Sequence, residues 1–364
     1  MFCDAATVAY RVQGADSVTG RPYKPYAFFR YTSDEDLYRR YNEVPAGSEA
    51  LLLPCGKCML CTRRYRLGWV LRCVHELHYY NEACYLTLTV DDAHIDKLFP
   101  PMGRAYTSDL TWHSLRHEPF QKFMKRLRIR LQRGFAVMTP EYCADQPLTP
   151  PIYRKIDYHG EPGKSLRYYM CGEYGDNTHR PHYHAILFGF YPPDALPLPG
   201  TKLQVSNLLS QVWPYGYHTV AHVEPDCVSY VAGYVDKKMD SNRMAWANNN
   251  VAPEYTCMSR RGGIGLQFFH DFLSDIYPQN DDGSLARDYC IIGRGARVKV
   301  PRYYDQLLEL HLPYKYANLV AHRAEVAAQR GAIDLADWLN ESHRRNAVAV
   351  ARRRQRDPGV AMPG

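Results

Sequence analysis

The stretch that most constrains this chain runs from Arg167 to Phe190. It reads as strand, turn, strand: Arg167 to Glu173 is rich in aromatic residues, Gly175-Asp176-Asn177 is turn chemistry, and Tyr183 to Phe190 is a second apolar run. Side chains alternate along a strand, so His182, His184, Ile186 and Phe188 share one face, and Tyr183, Ala185 and Leu187 share the other. Two imidazoles on one face start a metal-binding edge. Glu173, nine positions before His182 and across the turn, can add a carboxylate oxygen. Two histidines and one carboxylate leave coordination positions open for substrate and water, as a catalytic metal site requires. A His-x-His taken alone is explained equally well by two half-buried strand histidines.

A second element points beyond packing. Cys227 to Lys238 has helical spacing, with Asp226 placed to cap it. Val228, Val231, Val235 and Met239 fall on one stripe and carry the packing. Tyr230, Tyr234 and Lys237 or Lys238 fall on a neighbouring stripe, where residues three and four apart sit side by side. Burial does not require those tyrosines.

His-hydrophobic-His followed by a helix with Tyr-x-x-x-Tyr, preceded by Tyr85-Leu86-Thr87-Leu88-Thr89-Val90, resembles the HUH endonucleases that start rolling-circle DNA replication. The resemblance is closest to the replication initiators of microviruses, small single-stranded DNA bacteriophages. It implies an α+β fold with a central antiparallel sheet and helices packed on it, and a nicking activity that leaves a 5′-phosphotyrosine and a free 3′-hydroxyl, later religated. It also implies Tyr230 and Tyr234 as nucleophiles, Lys237 as the neutralising cation, and Mg2+ or Mn2+ on His182, His184 and Glu173. Partners would be the single-stranded viral origin and the host replication helicase and polymerase, with no membrane. In the family pattern a lysine often follows the first tyrosine by three, whereas Gly233 stands there. Only Tyr234 heads a full Tyr-x-x-Lys, which makes the two tyrosines unequal.

The remaining chain fits around this core. With 364 residues, 46% of them apolar, it can bury a sizeable core. No run reaches the ~18 apolar residues of a membrane span, and the first residues lack a signal pattern, so the reading is a soluble protein of the bacterial cytoplasm. A net charge of +7 is mild, but the 30 tyrosines suit a single-strand binder. Eleven cysteines without a signal argue for reduced thiols. Cys55, Cys58 and Cys61, with Cys73 as fourth, have spacing for a structural Zn2+, or are unligated.

Glu118 to Arg133 predicts an amphipathic helix that stops at Gly134, with Lys122, Lys125, Arg126, Arg130 and Arg133 on the polar side. These and Lys238 are the candidate DNA-binding residues, the alternative being a solvated face. Residues 139–164 and 244–265 read as loops, and residues 303–330 and 333–354 as helices with a basic end. The expected organisation is an N-terminal segment (1–50), an endonuclease domain (51–290) containing the cysteine-rich stretch 55–73, and a helical, basic C-terminal extension (291–364). Two competing classes remain: an HUH relaxase or transposase with the same motifs, and a non-catalytic zinc and nucleic-acid-binding protein.

Overall fold

The computed structural model describes residues 7–11, 26–29, 33–43, 50–56, 58–104, 111–141, 152–175, 178–223, 228, 231–232, 250–292, 295–329 and 335–356. The chain divides into two compact units, one formed by residues 1–65 and 314–364, the other by residues 66–313.

In the first unit, β1 (Thr7–Arg11) pairs antiparallel with both β2 (Tyr26–Phe29) and β3 (Ala50–Leu53). Helix α1 (Asp34–Asn42) starts on a Ser33 cap whose side chain accepts from the Asp36 N–H, and its first turn is acidic. Both features satisfy the exposed donors and the positive end of the helix. Val8, Tyr10 and Leu37 pack with Cys61, Trp338 and Leu339. Cys61 lies near the start of α2 (Met59–Leu77), which runs on into the second unit; Trp338 and Leu339 belong to a long C-terminal helix, Leu335–Arg356. The N-terminal segment, which gives no confident element as sequence, therefore shares a core with the C-terminal helix.

The second unit is built on a seven-stranded sheet, antiparallel at every pairing. At its centre β4 (Ala83–Thr89) lies beside β10 (Pro181–Phe188), and β9 (Arg167–Tyr174) flanks β10 on the other side. Beyond β9 lies the edge strand β14 (Tyr255–Met258); beyond β4 come β13 (His218–His222), β12 (Gln204–Val205) and β11 (Leu196–Pro197). This is the α+β architecture expected of the family the motifs resemble. The shorter strands β5 (Pro101–Arg104) and β6 (Thr111–His113), β7 (Phe135–Glu141) and β8 (Ile152–Tyr158), and β15 (Tyr289–Ile292) and β16 (Ala296–Lys299) form separate hairpins.

Two apolar layers cover the sheet. On one side, the helix Glu118–Arg133 places Phe120, Phe123, Met124 and Leu127 against Tyr183, Ala185 and Leu187 of β10. The helix has the bounds its periodicity predicts, with Pro119 in its first turn and Gly134 beyond its end at φ 70°. On the other side, Ile186 and Phe188 pack with Tyr169, Cys171, Trp69, Val70 and Cys73.

Two stretches read as loops hold strands. Residues 152–158 pair with β7, and residues 255–258 form the sheet edge. Their Pro and Gly content marks the connections at either end and hides the short extended runs between. Among the described residues no helix is long and apolar enough to cross a membrane.

Candidate functional site

The polar constellation sits at one end of β10, on the face opposite the helix Glu118–Arg133. His182 is directly across from Glu173 on β9 and from Thr89 on β4, while His184 is across from Cys171 and Thr87. Because side chains alternate, His182, His184, Glu173, Thr87 and Thr89 all share this face. The Glu173 carboxylate reaches diagonally to His184, with Nε2 2.6 Å from Oε1. Both side chains are buried, at 7% and 6% exposure, so the pair interacts in a poorly hydrated setting.

The other ring nitrogen of His184 is held as firmly. Its Nδ1 lies 2.7 Å from the Tyr85 hydroxyl and 3.0 Å from that of Thr87, and the Tyr85 ring stacks on the imidazole at 5.9 Å. Two hydroxyls on Nδ1 fix the ring orientation and aim Nε2 at Glu173, the outer-shell support that metal-ligating histidines usually have. His182 is held differently. Its Nδ1 donates to the Arg180 carbonyl at 2.6 Å, which leaves the Nε2 lone pair available. Burial is the main cause that pushes its pKa below the ordinary histidine value, which favours the neutral imidazole a metal needs. Gly175 makes room for this ring: a Cβ there would come within 3.0 Å of His182 Cε1.

The donor chemistry, two imidazoles and a carboxylate with outer-shell partners, fits a divalent ion. The arrangement is not yet a closed set of ligands. Among the described residues, only Cys55, Cys58 and Cys61 place three ligand atoms within 4.8 Å of one another. In the histidine site Glu173 bonds directly to His184, and binding an ion would replace that contact.

Tyr230, Tyr234, Lys237 and Lys238 lie outside the described residues, as does the Asp226 cap. Their neighbours Val228, Val231 and Ala232 are helical and fully buried, packed in the same cluster as Ile186 and Phe188. The packing stripe read from the sequence thus meets the face of the sheet that carries the histidines.

The expected DNA-binding residues of the helix Glu118–Arg133 are on the other side of the sheet. Lys122, Lys125, Arg130 and Arg133 are exposed, and Lys122 pairs with Glu118 at 2.7 Å. Arg126 is committed to the fold: its Nε donates to the Val212 carbonyl at 2.9 Å, and its guanidinium lies over the Tyr215 ring. Cys55, Cys58 and Cys61 come together in the first unit, beside its apolar core, and form a group that can hold a metal such as zinc. Cys73 is not part of that group. It is fully buried in the second unit's core, where burial pushes its thiol pKa well up, because its place on α2 is an inward-facing one.

Sequence reading singles out Tyr85 and Thr87 only as parts of a motif and gives them no role at the site. The available signal was alternation, which puts Tyr85, Thr87 and Thr89 on one face of their strand.

Residues 83–239, which include the histidine strands and the tyrosine segment, match the family model of the replication-associated protein ORF2. The replication-associated protein VP4 of Bdellovibrio phage phiMH2K is 26% identical over 322 residues, covering 85% of this chain and 87% of that protein. The replication-associated protein ORF4 of Chlamydia phage 1 is 25% identical over 270 residues, covering 70% of this chain and 53% of that protein. No solved structure matches the chain. The resemblance carried by the three motifs thus extends across the chain, which is similar to the replication-associated proteins of microviruses and carries the ORF2 family pattern over residues 83–239.

Proposed function

We propose that this chain is a phage replication initiator that nicks single-stranded DNA at an origin with a tyrosine nucleophile, then rejoins the strand. The observation that supports this most is the buried His184–Glu173 pair, backed by the Tyr85 and Thr87 hydroxyls, on the sheet face where Val228, Val231 and Ala232 pack. His182, His184 and Glu173 would hold Mg2+ or Mn2+, which when bound supplies Lewis-acid polarisation and orientation of the scissile phosphate.

The chain's own residues do the rest. The Tyr234 oxygen attacks phosphorus, the bond from phosphorus to O3′ breaks, and O3′ keeps the electron pair and takes up a proton. The 5′-phosphate is left on the tyrosine, so the bond energy is retained for rejoining. Lys237, one turn on, neutralises phosphate charge or holds the phenolate. Tyr230 cuts the newly copied strand while the first adduct is in place, and the free 3′-hydroxyl then attacks the first phosphotyrosine and releases its phenol. Lys238 and the exposed basic residues of the helix Glu118–Arg133 contact DNA backbone. A host polymerase extends the 3′-hydroxyl while a host helicase opens the duplex, which places the activity in the host cytoplasm.

Incubation with a labelled single-stranded origin oligonucleotide and a divalent metal should give a covalent adduct that survives denaturation. His184→Ala should lower its rate about a hundredfold or more. Undiminished adduct formation in that variant, or in excess chelator, would remove the metal role. Separately, Cys55, Cys58 and Cys61 hold a structural zinc, so protein purified without added metal should contain near-stoichiometric zinc; a folded, active, zinc-free preparation contradicts this.

A further inference from the structure

On the helix side of the sheet, where β14 forms the edge, an open cleft of about 960 Å³ lies between β9, β14 and the start of the helix Glu118–Arg133. That volume is at the upper end of the ~300–1,000 Å³ typical of ligand pockets. Its lining contains four arginines and no aspartate or glutamate. Arg167 is tied to Glu76 at 3.2 Å. Arg128, Arg260 and Arg261 are exposed and make no ion pair among the described residues. Arg128 is also preset, because it donates to the Leu166 carbonyl at 3.2 Å with its guanidinium 5.9 Å from the Tyr168 ring centre. Three guanidiniums with no carboxylate among them recognise a polyanion, and half-buried Tyr168 and Tyr255 supply aromatic surface.

We propose that this cleft is a second single-strand site, which holds a short stretch of DNA by its phosphates apart from the histidine site. The histidines project from the other face of the sheet, and β14 is two strands from β10, roughly 10 Å along the sheet. A strand bound in the cleft reaches the histidines by passing around the β14 edge. Holding it there would fix which phosphate arrives at the site, so the cleft contributes to choosing the cut position. The inference rests on the reading that the chain handles single-stranded DNA.

The cleft contains its own reporter. Cys257 Sγ lies 3.8 Å from His117 Nε2, and the thiol pKa is lowered chiefly by that hydrogen bond. A thiol shifted towards thiolate reacts with iodoacetamide, and peptide mapping separates Cys257 from the other cysteines. In the full-length protein, an oligodeoxythymidylate that binds by fluorescence anisotropy should slow Cys257 alkylation several-fold, and thymidine monophosphate should not. Protection should persist in His184→Ala and be lost in the double variant Arg260→Ala and Arg261→Ala. The salt slope of binding in that variant should fall by about 1.4, roughly 0.7 for each phosphate no longer neutralised. Oligonucleotide binding without protection of Cys257, or protection unchanged in the arginine variant, overturns the cleft assignment and leaves the nicking reading intact. Equal protection by the mononucleotide assigns the cleft to a free nucleotide and overturns the strand site. No binding of single-stranded DNA at all overturns both.

Discussion

The two faces of β10 are made from alternate residues of one eight-residue strand, yet they do different work. Tyr183, Ala185 and Leu187 are buried against the helix Glu118–Arg133, so that face is core from end to end. The opposite face is divided. Ile186 and Phe188 belong to a second apolar cluster, while His184 and His182, further back along the same row, form a polar group with Glu173, Tyr85 and Thr87. The uniform face anchors the strand, and the divided face spends one half on packing and the other on chemistry. An imidazole held at both nitrogens on a strand packed from both sides has little freedom to lose when substrate arrives.

This comparison makes substitutions two residues apart behave differently. Phe123→Ala, on the uniform side, should cost about 3–5 kcal/mol of stability, and Ile186→Ala, on the packing half of the divided side, about 2–5 kcal/mol. Denaturant melts would show both losses. Adduct formation per folded molecule should remain near wild type in each, and a large drop in Ile186→Ala at temperatures where it is folded would break the division into halves. A smaller effect sharpens the same boundary. Tyr85→Phe removes one hydroxyl from His184 Nδ1 and leaves the ring stack, so adduct formation should fall about tenfold with little change in melting. An unchanged rate would make Thr87 sufficient as the outer partner.

Much of this arrangement was legible from residue order because it depends on local rules. Alternation alone puts His182 and His184 on one face with Ile186 and Phe188, and helical spacing gives the bounds of Glu118–Arg133 and its buried residues. Sequence spacing shows which residues share a face of one element, but not which neighbouring element will use that face. Cys73 has a spacing that suits a fourth thiolate, yet it is taken by the sheet-side core, and Arg126 lies on the basic stripe but is consumed by Val212 and Tyr215. The edge strand Tyr255–Met258 was hidden for a related reason. Four residues between Gly- and Asn-rich connections carry too short a pattern to register, and only pairing with β9 makes them a strand. The arginine cleft depends on that strand, so it too was out of reach.

The central claim is that the polar half of the divided face works with the tyrosine segment packed beside it. Mapping the covalent DNA adduct in wild type, Tyr230→Phe, Tyr234→Phe and the double variant, on one oligonucleotide with one metal, tests this most directly. The account predicts that the double variant forms no adduct. It also predicts that Tyr234→Phe loses more than Tyr230→Phe, by up to roughly a hundredfold if Lys237 is worth a few kcal/mol to the attacking phenolate. An adduct that persists in the double variant would place the nucleophile elsewhere and contradict the account.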